Sequence, residues 1–160
     1  MQATFDSPIG RLLITEEDGC LTSLDFSETA ERLLPSTPLL ARACKELEEY
    51  FSGRRMKFSL PLRPAGTEFQ RQVWQGLLQI PYGETCTYGA LAAAIGAEKA
   101  CRAVGGANGK NPLPILIPCH RAVAAGKKLG GFSYGLWRKE YLLSLENKHA
   151  KNAEGFSAFF

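Results

Sequence analysis

Thr87-Tyr-Gly-Ala-Leu-Ala-Ala-Ala-Ile-Gly96, continued by Ala97-Glu-Lys-Ala-Cys-Arg-Ala-Val-Gly-Gly-Ala-Asn-Gly109, is the stretch whose reading decides the fold. A threonine ahead of an apolar run caps a helix, because its hydroxyl accepts from the free amides of the first turn. Thr87 therefore opens a short helix over Tyr88 to Ile95. Gly96 supplies a tight turn, and a second helix carrying Lys99 and Arg102 runs toward Gly109. Two short helices joined at a glycine, with basic residues on the second, have the layout of a helix-turn-helix, whose second helix meets DNA. Many helix pairs of this shape bind nothing, so the pattern alone leaves DNA binding open.

Upstream, Thr67 caps a helix with Phe69, Val73, Trp74 and Leu77 on one face, ending at Ile80-Pro81-Tyr82-Gly83. Downstream, Leu113-Pro-Ile-Leu-Ile-Pro118 reads as a buried strand or extended segment that delivers Cys119 from the interior. Gly126 to Gly131 reads as a wing-like hairpin. Leu136 to Glu146 reads as a closing helix with Trp137, Tyr141, Leu142 and Leu145 inward, and the chain from Asn147 is polar until a final Phe-Ser-Ala-Phe-Phe.

The first third follows a different rhythm. Gln2 to Phe5, Arg11 to Thr15 and Cys20 to Phe26 are short segments separated by turn residues, which predicts a small antiparallel sheet. Thr37-Pro38 then starts a helix with Leu39, Leu40, Ala43, Leu47, Tyr50 and Phe51 at helical spacing, closed by Gly53. Leu60-Pro-Leu-Arg-Pro-Ala-Gly66 cannot continue a helix and marks a boundary. The expected architecture is an α/β N-terminal domain over 1–62, a small antiparallel sheet plus a helix. A mostly helical domain over 63–148 follows, with a winged helix-turn-helix-like DNA-binding motif, and then a C-terminal tail over 149–160.

With 160 residues, 45% of them apolar, the chain is long enough for one or two small domains with a core. No run approaches the roughly 20 apolar residues that span a bilayer, and the N-terminus lacks a basic region followed by an apolar one. A cytoplasmic protein is expected, or a nuclear one in a eukaryote, with no membrane partner. The 5 cysteines are an odd number without paired spacing, which argues for reduced thiols. The 2 histidines form no zinc pattern, so neither a metal nor a cofactor is expected. Net charge is only +3, but from Glu98 to Lys139 there are eight basic residues (Lys99, Arg102, Lys110, Arg121, Lys127, Lys128, Arg138 and Lys139) against one acid. That half is a candidate face for a polyanion.

Pro118-Cys119-His120-Arg121 sets a thiol beside an imidazole and a guanidinium, which can depress a cysteine pKa and hold thiolate at neutral pH. Cys119 is the candidate nucleophile. Cys20, Cys44, Cys86 and Cys101 read as inert small hydrophobes. Neighbouring side chains on a strand point to opposite faces, so Cys119 and His120 cooperate only if the chain turns there or a water bridges them.

At these residues the sequence resembles the O6-alkylguanine-DNA alkyltransferases, also called methylated-DNA-protein-cysteine methyltransferases. The resemblance runs from Gly66 to Glu146 through Gly-Thr-Glu-Phe-Gln-Arg-Gln-Val-Trp74, Thr87-Tyr-Gly89, Arg102-Ala-Val-Gly-Gly-Ala-Asn108, Asn111-Pro-Leu-Pro-Ile-Leu-Ile-Pro-Cys-His-Arg121 and Arg138-Lys-Glu-Tyr-Leu-Leu-Ser-Leu-Glu146. Residues 1–62 match more loosely. The resemblance implies stoichiometric, irreversible transfer of an alkyl group from O6-alkylguanine, with O4-alkylthymine as a further candidate, to Cys119. The nucleotide is flipped out of duplex DNA held through the minor groove with little sequence preference, by a monomer. It implies that His120 takes the Cys119 proton through a water, Glu146 orients the imidazole, Tyr88 donates to the leaving guanine and Asn111 supports the site. It makes Arg102 the finger that fills the vacated stack. Cys101, Ala103 and Gly105 then allow close approach, Thr87, Gly89 and Gln70 are DNA contacts, and Ala122, Ser133 and Tyr134, with the carbonyl of Cys119, line the base pocket.

Three departures from the family pattern bear on function. Tyr134 stands where several relatives have glycine, which narrows the pocket toward methyl and other small adducts. Ala122 replaces a common valine. The zinc ligands of some relatives have no counterpart, since the histidines are His120 and His149. Three competing readings are a non-catalytic sensor of alkyl lesions, a Cys/His hydrolase and a redox sensor. The first lacks a use for Cys119, the second has no visible oxyanion hole, and the third has no evident resolving cysteine.

Overall fold

The computed structural model describes residues 1–126 and 128–157, which divide into two compact units. The first comprises Met1–Ala65 with the segment Pro112–Leu116, and the second comprises Gly66–Asn111 with the chain from Ile117 onward.

In the first unit, β1 (Gln2–Ser7), β2 (Gly10–Glu17) and β3 (Cys20–Phe26) form an antiparallel sheet in sequence order. The β1–β2 register runs from Gln2 opposite Thr15 to Ser7 opposite Gly10. Alternation carries Leu12 and Ile14 of β2 to the buried side, and a bulge in β3, where the register shifts opposite Thr15 and Glu16, lets Leu21 and Leu24, three residues apart, share it. Helix α1 (Pro38–Phe51) starts as the sequence predicts, with the Leu40 amide donating to Thr37 Oγ1 at 3.1 Å. Its buried residues Leu40, Ala43, Leu47 and Tyr50 recur at three and four. Glu46 on the same face is also buried. It accepts from the Ser59 amide at 2.8 Å and the Ser59 hydroxyl at 2.7 Å and is paired with Arg42 and Arg55, so its charge fastens the chain after α1.

The segment before Cys119 is not the expected strand. Leu113, Ile115, Leu116 and Ile117 are buried, but the backbone turns at Ile115 and Leu116, and Ile115 takes a φ of 73°. A β-branched residue in the left-handed region costs on the order of 1–3 kcal/mol. Pro112, Pro114 and Pro118 withhold three amides from any ladder, which explains why an apolar run here bends. The Leu24 amide donates to Pro112 O at 2.9 Å, tying the segment to β3.

In the second unit, α2 (Glu68–Leu77) begins with a capping box: Thr67 Oγ1 accepts from the Gln70 amide at 3.1 Å, and Gln70 Oε1 from the Thr67 amide at 3.0 Å. A two-residue strand β4 (Cys86–Thr87) leads into α3 (Tyr88–Ala94), capped by Thr87. Gly96 turns the chain at a φ of 75°, and α4 (Cys101–Gly109) follows. β4 pairs in parallel with β5 (Ala122–Val123). Trp74 of α2 is buried and donates through Nε1 to Ala107 O of α4 at 2.9 Å. In the expected wing, Ala124 and Lys128 form an antiparallel bridge around Gly126, whereas Lys127 lies outside the described residues.

Helix α5 (Leu136–Ser157) departs from expectation twice. It continues well past Glu146 through residues expected to be tail; Ala158, Phe159 and Phe160 lie outside the described residues. Trp137 and Tyr141 are exposed, at 53% and 37%, while Lys139, Leu142 and Glu146 are buried. The inward stripe is thus mostly polar, which is why an apolar pattern picked the wrong face. No helix among the described residues is long and apolar enough to cross a membrane.

Replacing Trp74 by Phe removes the donor that satisfies Ala107 O. It is expected to destabilise the protein by about 1–3 kcal/mol, measured by guanidinium unfolding followed by circular dichroism. An unchanged midpoint would mean that this bond does not hold α2 to α4.

Candidate active site

The chain does turn at Cys119. Pro118 leaves the preceding segment at φ −79° and ψ 64°, and Cys119–Arg121 form a single 3-10 turn, closed by the Arg121 amide on Pro118 O at 3.0 Å. The turn removes the alternation that would have sent Cys119 and His120 to opposite faces. All three side chains are buried. Two asparagines brace the turn: Asn111 Nδ2 donates to Ile117 O at 2.9 Å, and Asn108 Nδ2 to Cys119 O at 3.3 Å.

His120 and Arg121 converge on one carboxylate. His120 Nε2 lies 2.6 Å from Glu146 Oε2. Arg121 donates through Nε to Glu146 Oε1 at 2.8 Å and through Nη2 to Oε2 at 3.1 Å, and its Nη1 donates to Ile80 O at 2.7 Å. Burial pushes the Glu146 carboxyl up, but the contact with His120 and the hydrogen bonds and charge of Arg121 outweigh it and bring it to about 2. Burial pushes His120 downward against the pull of Glu146. An ionised carboxylate only accepts, so Nε2 carries the proton of a neutral imidazole, and Nδ1 is left as a lone-pair base. His120 Nδ1 is buried and meets no protein partner among the described residues.

The thiol itself differs from expectation. Burial pushes Cys119 up to about 11, against a hydrogen bond from Asn111 and the charge of Lys139. The guanidinium expected to stabilise thiolate is spent on Glu146 and Ile80, and the imidazole is neutral. The resting side chain is therefore the thiol and not a stored thiolate.

Cys119 lines a cavity of about 300 Å³ with Tyr88, Gly105, Asn108, Gly109 and the run Gly131 to Tyr134. Tyr88 is half-buried, with its hydroxyl 3.5 Å from Gly131 O, a loose contact that leaves it available to a ligand. Ser133 donates to Gly109 O at 2.9 Å, and the Tyr134 hydroxyl to Asn111 O, so the loop is fastened across the end of α4 and the tyrosine ring is fixed at the wall.

The structure brings Cys119, Tyr88, Gly105, Ser133 and Tyr134 to one cavity, with His120, Glu146 and Asn111 behind it. Cys101, Arg102 and Ala103 lie on the exposed face of α4, and Gly105 and Gly106 have open space where a Cβ would stand. Gly89 is exposed with the same open space, Thr87 caps α3, and Gln70 is held in the capping box of α2. Ala122 does not line the cavity, and its carbonyl accepts from Lys139 Nζ at 2.7 Å. The basic face also needs revision: Lys99, Arg102, Lys110 and Lys128 are exposed, but Arg121 and Lys139 are buried, and Lys127 lies outside the described residues.

Sequence reasoning missed Asn108 and Lys139. Lys139 is fully buried, also donates to Gly131 O at 3.1 Å and packs its ammonium near the rings of Tyr88 and Phe132. Burial lowers it to about 8. Its place seven residues before Glu146 on one helix face was the available signal.

Residues 68–148 match the family described as "6-O-methylguanine DNA methyltransferase, DNA binding domain", and residues 1–64 its "ribonuclease-like domain". A methylated-DNA–protein-cysteine methyltransferase of Methanosarcina acetivorans is 43% identical over 150 residues, covering 90% of this chain and 96% of the relative. The constitutive enzyme of that name from Bacillus subtilis is 44% identical over 153 residues, covering 89% and 93%. Among solved structures, Mycobacterium tuberculosis OGT in complex with DNA aligns with a TM-score of 0.84 at 43% identity, covering 92% of this chain and 93% of that one. An O6-methylguanine DNA methyltransferase from Methanococcus jannaschii aligns with a TM-score of 0.69 at 29% identity, covering 92% and 93%. With both domains matched along nearly the whole chain, and a buried Cys-His-Glu constellation at a cavity beside a helix-turn-helix, the protein belongs to the 6-O-methylguanine DNA methyltransferase family.

Proposed function

We propose that this chain, a DNA-repair methyltransferase, takes the alkyl group of O6-alkylguanine onto Cys119 in one irreversible step. The observation that carries the assignment is the arrangement at Cys119. The thiol faces a cavity, and the buried imidazole next to it is held by a carboxylate on one nitrogen while presenting its other as an unpartnered base.

In the step itself, the Cys119 sulfur forms a bond to the alkyl carbon as the bond from that carbon to O6 breaks. The electron pair stays on the guanine. The thiol proton passes to His120 Nδ1, through a bridging water, and Glu146 supports the imidazolium that forms. Expelling a guanine anion is costly, so the Tyr88 hydroxyl donates to a ring nitrogen. The product is a thioether on Cys119, which water does not cleave, so the protein is consumed.

A buried thiol cannot reach a stacked base, and flipping the nucleotide costs a few kcal/mol. The exposed face of α4 suits this task. Arg102 fills the vacated stack, and the small residues around it admit the backbone of the minor groove closely, with little preference for sequence. A single chain suffices, since every group in the step comes from one unit. The fixed ring of Tyr134 favours methyl over bulky adducts.

Mixed with excess duplex containing O6-methylguanine, the protein is expected to restore one guanine per chain and then stop. Continued turnover would exclude a consumed cysteine, and binding without any restoration would leave a lesion sensor. Cys119→Ala should abolish transfer and keep DNA affinity. Tyr88→Phe should slow single-turnover transfer by about a hundredfold. Arg102→Ala should slow transfer from duplex more than from single-stranded substrate, which has no stack to refill; equal effects on both would remove Arg102 from flipping.

A further inference from the structure

Arg121 enters none of the steps above, yet it is buried and donates three hydrogen bonds. Its guanidinium spans both oxygens of Glu146, at 2.8 and 3.1 Å, and reaches Ile80 O at 2.7 Å, while its flat face lies 5.7 Å from the centre of the Tyr82 ring. Three parts of the second unit thus hold one side chain in place: its own turn, the chain following α2, and α5. A planar fork gripping a carboxylate in this way is the geometry that arginine provides and lysine does not.

The consequence concerns His120. A buried imidazole hydrogen-bonded to a lone carboxylate is drawn toward the imidazolium, because the anion stabilises the cation. An imidazolium at rest could orient the site but could not accept the thiol proton. The charges acting on His120 are Glu146 and Lys139 from α5 and Arg121 from its own turn, with the neutral Cys119 thiol beside it. With Arg121 on Glu146, the carboxylate and guanidinium cancel, and protonating His120 would add a net charge to a sealed site that already holds the Lys139 ammonium.

We propose that Arg121 is a positioning residue of the transfer reaction: by holding both oxygens of Glu146 it lets that carboxylate orient His120 while keeping the imidazole unprotonated until Cys119 gives up its proton. The proposal rests on the reading of Cys119 as the alkyl acceptor. It also explains how one site carries a strongly ionised glutamate without losing its base.

The sign of the effect is fixed. Removing the Arg121 charge leaves Glu146 to act alone on His120, so the imidazole protonates at a higher pH. Transfer then fails at low pH, where His120 is already protonated, and recovers at high pH. The acid limb of the rate profile moves up. A purely structural role would lower the rate by one factor at every pH.

The test is a titration of the two histidine side chains by NMR in the full-length protein without DNA, with His149 as the internal control. Single-turnover transfer from an O6-methylguanine duplex is measured alongside from pH 5.5 to 9, on the order of the range over which imidazoles titrate. In Arg121→Gln the His120 midpoint is expected to rise by about one pH unit or more, with the acid limb rising in parallel. In Arg121→Gln combined with Glu146→Gln, the rise should vanish. Should Arg121→Gln not fold, Arg121→Lys decides. One ammonium cannot hold both oxygens, so its midpoint also rises, by less, and an unchanged midpoint overturns the proposal. A wild type that transfers methyl groups while the variants show an unmoved His120 and a uniform loss of rate would overturn the role of Arg121 and leave the reading of Cys119 standing. A wild type that transfers nothing would overturn both.

Discussion

The site depends on one buried carboxylate. Glu146 comes from α5, and both of its oxygens are taken, one by the His120 imidazole and both by the Arg121 guanidinium. An ionised group that far from water would be untenable without such partners, and either partner alone would leave a different site. With histidine only, the pair would draw in a proton. With arginine only, nothing would fix the ring or its tautomer. The turn Cys119–Arg121 makes the triple contact, since it brings two consecutive side chains onto the same carboxylate and leaves the third, the thiol, at the cavity.

The surroundings of the turn follow from what it must withstand. Prolines on either side of the Ile115 bend deny the segment a place in a sheet, and a left-handed isoleucine is held by burial instead of by glycine's freedom. Asn108 and Asn111 bind the carbonyls around Cys119, so the end of α4, the helix with the exposed Arg102, is joined to the turn that bears Cys119. The Ser133 and Tyr134 hydroxyls close the loop on the same end of α4. Helix α4, the pocket wall and the turn that bears the thiol are therefore parts of one hydrogen-bonded assembly.

What the sequence disclosed and what it hid divide along the range of the interactions. Thr37, Thr67 and Thr87 cap their helices as read, because a cap is settled within three residues. The three strands and the glycine turn at Gly96 are likewise local. Cys119 was legible in the Pro-Cys-His-Arg run itself, the roles of His120 and Glu146 only through the family resemblance, and the cavity does gather Cys119 with Tyr88 and Tyr134. Hidden were the features set by tertiary contact. The inward stripe of α5 is carried by Lys139 and Glu146, so an apolar pattern assigned Trp137 and Tyr141 to the core. Arg121, beside Cys119 in sequence, read as a partner of the thiol, but its guanidinium reaches a helix 25 residues away. The proton inventory of the site changed with it, from a stored thiolate to a thiol with a neutral base nearby.

The central claim, that Cys119 itself carries away the alkyl group, is tested most directly by mass. After incubation with an O6-methylguanine oligonucleotide, the intact protein should gain a single methyl group, and peptide mapping should place it on Cys119. A methyl group on any other residue, or no gain in a folded, reduced sample that has nonetheless restored the guanine, would contradict the account.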